Sequence, residues 1–373
     1  MKSVCAALLS LVLAAAGSAH AQEVAKVEVS PPGLAPLPSA VSGRVEAQAD
    51  GGVLRQWPGT YFETAFIGPD AYFQVGPGAV SLRVRVDGAA PLSLVKPPPG
   101  LYQLSGLAPA GSHQLRIDVA SESQAGPTSF GGFFAGAGAR PAPLPHRSRM
   151  IEFIGDSHTV GYGDTSATRR CDEDRIWATT DTSQGLAPRT AAHYDADYEV
   201  NAISGRGVVR NYNGVAADTL PTAYPFVLFD KAQVASEAAW RPQVIVIALG
   251  TNDFSTPLNP GEAWRTRGQL HADFEATYVQ FIARLRARDP HAYIVLWATD
   301  FGGGEIQAEV AKVVAAVRRS GDERVGFVPV SGLAFSACNF HPGLADDQKI
   351  ADALVKYIDA QQDVWNPSEK GTP

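Results

Sequence analysis

The chain has 373 residues, 45% of them hydrophobic and 18% charged, with a formal net charge of −7. That is a globular composition, long enough for two domains rather than one. The acidic balance is spread along the chain and no basic stripe interrupts it, which argues against nucleic acid as a partner.

In chain order, Lys2, the apolar run 4–16 and Ala19-His20-Ala21 have the charge, core and small-residue pattern of a cleavable secretory signal. The run is too short to span a bilayer. Residues 1–21 are therefore expected to be removed, leaving a secreted or periplasmic protein with no stable membrane anchor. Cys5 leaves with the signal. Cys171 and Cys338 remain, and two cysteines in an exported chain point to one disulfide, the alternative being two separate buried thiols. Residues 22–42 are rich in Pro and Ala with little pattern, and read as a leader or linker.

Over residues 43–140 the hydrophobic period is two. Val80, Leu82, Val84 and Val86 alternate with Ser81, Arg83 and Arg85, and Asp87-Gly88 then signals a tight turn. Leu115, Ile117 and Val119 repeat the alternation, and no helical pattern interrupts it. This half is predicted to be an all-β sandwich of jelly-roll type. A Gly-, Ala- and Pro-rich connection follows at 136–147.

From 148 to 365 the pattern becomes strands alternating with helices. Strands fit at 150–154, 198–202, 244–249, 293–297 and 325–328. Leu270, Phe274, Tyr278, Phe281 and Leu285 form one helical stripe, Ile306, Val310, Val313 and Val317 a second, and Ile350, Leu354 and Tyr357 a third. The prediction is an α/β domain, a flavodoxin-like three-layer arrangement with a parallel sheet between helices. Residues 366–373 are expected to fray.

Four turns sit where such a sheet places its chemistry. Gly155-Asp156-Ser157 ends the first strand, with Gly155 allowing a tight turn. Ser204-Gly205-Arg206-Gly207 follows the second strand and Gly250-Thr251-Asn252-Asp253 the third. His341-Pro342 precedes the last helical stripe, with Pro342 suited to a first helical position. Each alone is an ordinary turn or cap. Together they supply a nucleophile, two neutral donors and a base, the set that acyl transfer needs. Ser157 is the candidate nucleophile and His341 the candidate base. The N–H groups of Ser157 and Gly205 and the Asn252 amide are candidate oxyanion donors. No His-Glu-x-x-His or paired Cys-x-x-Cys occurs, and His113, His193, His271 and His291 lack metal spacing, so no metal or cofactor is expected.

In this order, Gly155-Asp156-Ser157, Gly205, Gly250-Thr251-Asn252-Asp253 and His341-Pro342 resemble the four blocks of the SGNH (GDSL-like) hydrolases. The run from Glu152 to Gly163, Ser204-Gly205-Arg206-Gly207 with Arg210-Asn211-Tyr212-Asn213, and the preceding β-domain are similar to carbohydrate esterase family 2. The resemblance implies an SGNH-type fold and an acetyl esterase acting on acetylated polysaccharide or oligosaccharide, without cofactor.

One feature departs from the superfamily. Its Asp shortly before the His is missing, and Cys338, Asn339 and Phe340 stand there instead. Either a backbone carbonyl orients His341 in a Ser157–His341 dyad, or a carboxylate arrives from elsewhere, with Asp253 and Asp300 as candidates. Asn339 is a weak third choice. Phe340 and Tyr162 are candidate sugar contacts, and Tyr212 and Trp297 are aromatic residues of the same kind. A disulfide between Cys171 and Cys338 would tie the histidine loop to the loop after Ser157. Competing readings are a lipase or aryl-esterase with an apolar acyl pocket, a catalytically silent carbohydrate-binding protein, and a flavodoxin-like phosphate binder.

Overall fold

The computed structural model describes residues 22–236 and 240–365. The proposed signal and the tail 366–373 lie outside the described residues.

The first half folds as two antiparallel sheets packed face to face. One runs Glu23–Lys26, Gly100–Ser105, Ala71–Val75, Thr128–Ala135, Val53–Arg55, Val45–Ala47. The other runs Arg140–Pro141, Tyr61–Ile67, Ser112–Val119, Ser81–Val86, Leu92–Val95. The alternating residues supply the core, where Phe62 of one sheet stacks on Phe130 of the other with ring centres 4.1 Å apart.

The expected leader at 22–42 requires correction. It contributes three strands, Glu23–Lys26, Ala35–Leu37 and Ala40–Ser42, which pair with Gly100–Ser105, Thr128–Ala135 and Tyr61–Ile67. Strands of three or four residues at a sheet margin turn at most two side chains inward. They therefore leave almost no periodic trace, and their stability comes from backbone pairing.

The second half is a five-stranded parallel sheet. Its strands are β1 (Arg149–Gly155), β2 (Ala196–Ala202), β3 (Val244–Ala248), β4 (Tyr293–Thr299) and β5 (Val325–Val330), in the order β2-β1-β3-β4-β5. Helices α1 (Leu186–His193) and α4 (Leu344–Asp359) cover one face, and α2 (Arg267–Arg288) and α3 (Glu305–Arg319) the other. Both faces are buried, so β3 is apolar throughout: Ile245 and Ile247 face α2 and α3, while Val244 and Val246 face α1 and α4. The chain leaves β1 to one side for β2 and to the other for β3. This makes the C-terminal end of β1 a topological switch point, where α/β folds open a crevice.

The two halves share polar and apolar contacts. Trp57 of the sandwich is fully buried in the α/β core, and its indole N–H donates to Phe226 O at 3.1 Å. Glu152, in the middle of β1, is completely buried. It accepts hydrogen bonds from Tyr224 Oη at 2.5 Å, Asn201 Nδ2 at 2.7 Å and Arg288, and lies 3.6 Å from Arg44 of the sandwich. Burial alone would raise its pKa, but Arg288 and Arg44 prevail and hold it below the ordinary carboxylate value. Removing this acid takes the counter-charge from the buried Arg44 guanidinium and leaves Arg288 with Asp289 alone. Glu152→Ala is expected to cost about 3–5 kcal/mol of stability, read from urea unfolding.

Candidate functional site

Strand β1 ends at Gly155, where a Cβ would come within 2.0 Å of Thr159 Oγ1 and 3.2 Å of Ala248 O, so only glycine fits. Asp156 then caps a one-turn helix, Ser157–Val160, by accepting the His158 N–H at 3.1 Å. Ser157 is thereby fixed at the sheet edge. From the far end of the chain, the stretch after β5 brings His341 to it. His341 Nε2 stands 2.8 Å from Ser157 Oγ, and Nδ1 stands 2.9 Å from Cys338 O. Only a protonated Nδ1 can donate to that carbonyl, which leaves the Nε2 lone pair facing the serine hydroxyl. Burial pushes the His341 pKa down, against the pull of the Cys338 and Asn339 carbonyls.

Neither proposed carboxylate reaches the imidazole. Asp253 accepts the backbone N–H groups of Val208, Val209 and Arg210 at 2.9 to 3.0 Å and so folds the loop beyond Gly205. Asp300 accepts from Gly332 N at 3.2 Å. The Asn339 amide donates to Tyr162 Oη at 3.3 Å and has no bond to His341. The expectation for Pro342 is also corrected: α4 starts at Leu344 with Gly343 as its cap, so Pro342 precedes the helix.

Gly205 and Asn252 come to the same edge. Ile203 N donates to Gly155 O at 3.2 Å, and Asn252 Nδ2 donates to Asp156 Oδ2 at 3.1 Å and Arg206 O at 2.8 Å. These bonds lace the three turns together. They also occupy both Asn252 amide protons, so service to an oxyanion requires one of them to be shared. Burial, with Asp253 nearby, pushes the Asp156 carboxyl up to about 7.

The aromatic candidates separate. Tyr162 lies against His341 with ring centres 4.3 Å apart, and Phe340 is 57% exposed beside it. Tyr212 is exposed elsewhere on the loop after Gly205, and Trp297 is buried in the sheet core. Cavities of about 460 and 540 Å³ lie away from Ser157 and His341, one under α2 and one between the two halves. Among the described residues no group of His, Cys, Asp or Glu side chains is arranged to hold a metal ion.

Cys171 and Cys338 form a disulfide with Cα atoms 5.4 Å apart. Arg169, which sequence reasoning missed, adds a second tie by donating to Phe335 O and Ala334 O, both at 2.7 Å. A surface arginine carries no mark in the sequence that it clamps a loop 166 residues away.

Comparison with known proteins agrees with this organisation. Residues 41–145 match the family model described as carbohydrate esterase 2 N-terminal, and residues 153–367 match the GDSL-like lipase/acylhydrolase family. An acetylxylan esterase / glucomannan deacetylase of Cellvibrio japonicus is 42% identical over 335 residues, covering 88% of this chain and 93% of that protein. The chain belongs to carbohydrate esterase family 2. A solved carbohydrate esterase superposes with TM-score 0.83 at 40% identity, over 89% of this chain and all of that one. A family two esterase from Clostridium thermocellum, solved with cellohexaose, gives TM-score 0.76 at 28% identity, over 86% and 98% of the two chains.

In this carbohydrate esterase the carbonyl that holds His341 belongs to a disulfide cysteine. Cys171→Ser is expected to lower stability by about 2–4 kcal/mol in urea unfolding. It is also expected to lower kcat about tenfold, more than it changes KM, because the imidazole loses its fixed direction.

Proposed function

We propose that the protein is an exported serine esterase that removes O-acetyl groups from polysaccharides of the xylan or glucomannan type. The observation that carries this reading is the pair of contacts on one imidazole, Nε2 to Ser157 Oγ at 2.8 Å and Nδ1 to Cys338 O at 2.9 Å.

The chemistry follows from those contacts. Ser157 Oγ attacks the acetyl carbonyl while His341 Nε2 takes its proton. The C–O bond to the sugar breaks, the sugar oxygen takes the proton from His341, and the acetyl group stays on Ser157. Water then attacks the acetyl-serine with the same base, releasing acetate. The negative oxygen that forms in each half is met by the N–H groups of Ser157 and Gly205 and by Asn252. Such a donor is worth roughly 3–4 kcal/mol in the transition state.

Acetate as the acyl group is supported by packing beside the base. His158 is buried, its ring centre 5.6 Å from that of His341 and 5.9 Å from that of Phe335, with Trp297 behind it. Filled space there disfavours the long acyl chain of a lipase. The polysaccharide substrate is supported by the Cellvibrio relative, named for activity on xylan and glucomannan, and by the cellohexaose bound to the Clostridium structure. Export is supported by the sequence of residues 1–21, and the secreted protein is expected to begin at Gln22 when its N-terminus is sequenced.

Acetate release from acetylated xylan and acetylated glucomannan tests the activity. Ser157→Ala and His341→Ala are each expected to lose at least about 10⁴-fold in kcat. Equal, near-zero release by wild type and variants, on these glycans and on an aryl acetate, would leave a carbohydrate-binding protein as the better reading.

The pH profile tests the base. His341 acts only when neutral, and its pKa is lowered from the ordinary 6.5. The acid limb of kcat/KM for an aryl acetate is therefore expected to reach half-maximum below pH 6.5, with activity rising as pH rises through it.

A further inference from the structure

We propose that Glu122 and Gln124, two residues of the β-sandwich, are positioning residues for the Gly205 N–H. The proposal rests on Gly205 serving as an oxyanion donor.

Both residues lie in the connection after strand Ser112–Val119 and reach across to the turn that follows β2. Glu122 Oε1 accepts the Ser204 N–H at 2.7 Å. Gln124 Nε2 donates to Ser204 O at 3.2 Å and to Glu122 Oε1 at 3.1 Å. The N–H and the C=O of Ser204 are thus both held by side chains from the other domain, and those two side chains brace each other.

The Ser204 carbonyl and the Gly205 N–H belong to one planar peptide unit. In a trans peptide the two point in opposite directions. A hydrogen bond that fixes the Ser204 oxygen on the sandwich side therefore turns the Gly205 N–H away from the sandwich. Bonding the carbonyl also polarises the unit, which strengthens its N–H as a donor.

The turn needs such a restraint. Arg206 N donates to Ile203 O at 3.2 Å, which makes Gly205 the third residue of a β-turn, and its φ is +82°. A positive φ at that place belongs to a type II turn. Glycine is equally free to take the type I conformation, which rotates the Ser204–Gly205 peptide and presents a carbonyl oxygen where the N–H had been. The turn's own hydrogen bond does not prevent that rotation, since types I and II both keep the bond from Arg206 N to Ile203 O. The Glu122–Gln124 brace does, because a flipped peptide loses the bond from Gln124.

The test is steady-state kinetics of Gln124→Ala, Glu122→Ala and Glu122→Gln on an aryl acetate and on acetylated xylan, with circular dichroism and thermal melts to check folding. The two alanine variants are expected to lose about 10- to 100-fold in kcat on both substrates, with KM within about twofold. Glu122→Gln keeps an oxygen for the Ser204 N–H and is expected to recover most of the activity. Because the Gln124 side chain is exposed, its alanine variant decides the matter if Glu122→Ala does not fold. Unchanged kcat on the aryl acetate in folded Gln124→Ala overturns the proposal. A loss confined to KM for xylan overturns it too, and makes the pair a glycan contact instead. Wild-type activity in Ser157→Ala is a separate failure, of the serine mechanism itself.

Discussion

The hydrogen bond from His341 Nδ1 to Cys338 O sets the terms for the rest of the site. A carbonyl acceptor fixes the tautomer and direction of the imidazole as a carboxylate does. It carries only a partial charge, so it stabilises the imidazolium less. What it contributes is geometry, and geometry in a loop has to be held. The loop itself is not relaxed: Asn339 and Phe340 both have positive φ, 52° and 61°, a conformation that asparagine tolerates but that costs a residue such as Phe340 roughly 1–2 kcal/mol. The disulfide to Cys171, the Arg169 bonds to Ala334 and Phe335, and the Asn339 N–H to Arg169 O at 2.8 Å bind this loop to the segment that follows Ser157. His341 and Ser157 are therefore parts of one cross-linked unit, although 184 residues separate them in sequence.

The β-sandwich belongs to the same unit. Trp57 fills space in the α/β core, Arg44 reaches the buried Glu152 in β1, and Arg83 binds Asp181 at 2.7 Å behind the serine loop. With Glu122 and Gln124 at Ser204, the sandwich touches the supports of the serine loop and of the Gly205 turn. A domain joined only by a linker exerts no such restraint. This one shares buried charge and apolar surface with its neighbour, so its loss would expose both.

Much of this was legible in the sequence. Period-two alternation marked the sandwich, apolar runs marked the buried parallel strands, and the stripe from Leu270 to Leu285 marked α2. The order of Gly155-Asp156-Ser157, Gly205, Asn252 and His341 pointed to one sheet edge, because chemistry at strand ends is a property of α/β topology. The three short strands between residues 22 and 42 were not legible. Backbone pairing at a sheet margin asks little of side chains.

The orientation of His341 divides the two sources of information most clearly. Set against the superfamily it resembles, the sequence showed that an acid was missing before His341, and it left a main-chain carbonyl, a distant Asp or a silent site as the alternatives. The tertiary structure decided for Cys338 O and turned Asp253 and Asp300 to other tasks. The physical reason is that every residue carries a carbonyl, so composition cannot single one out. The same holds for Glu122, Gln124 and Arg169. Each is an ordinary polar residue whose role depends on which backbone group the fold brings within about 3 Å of it.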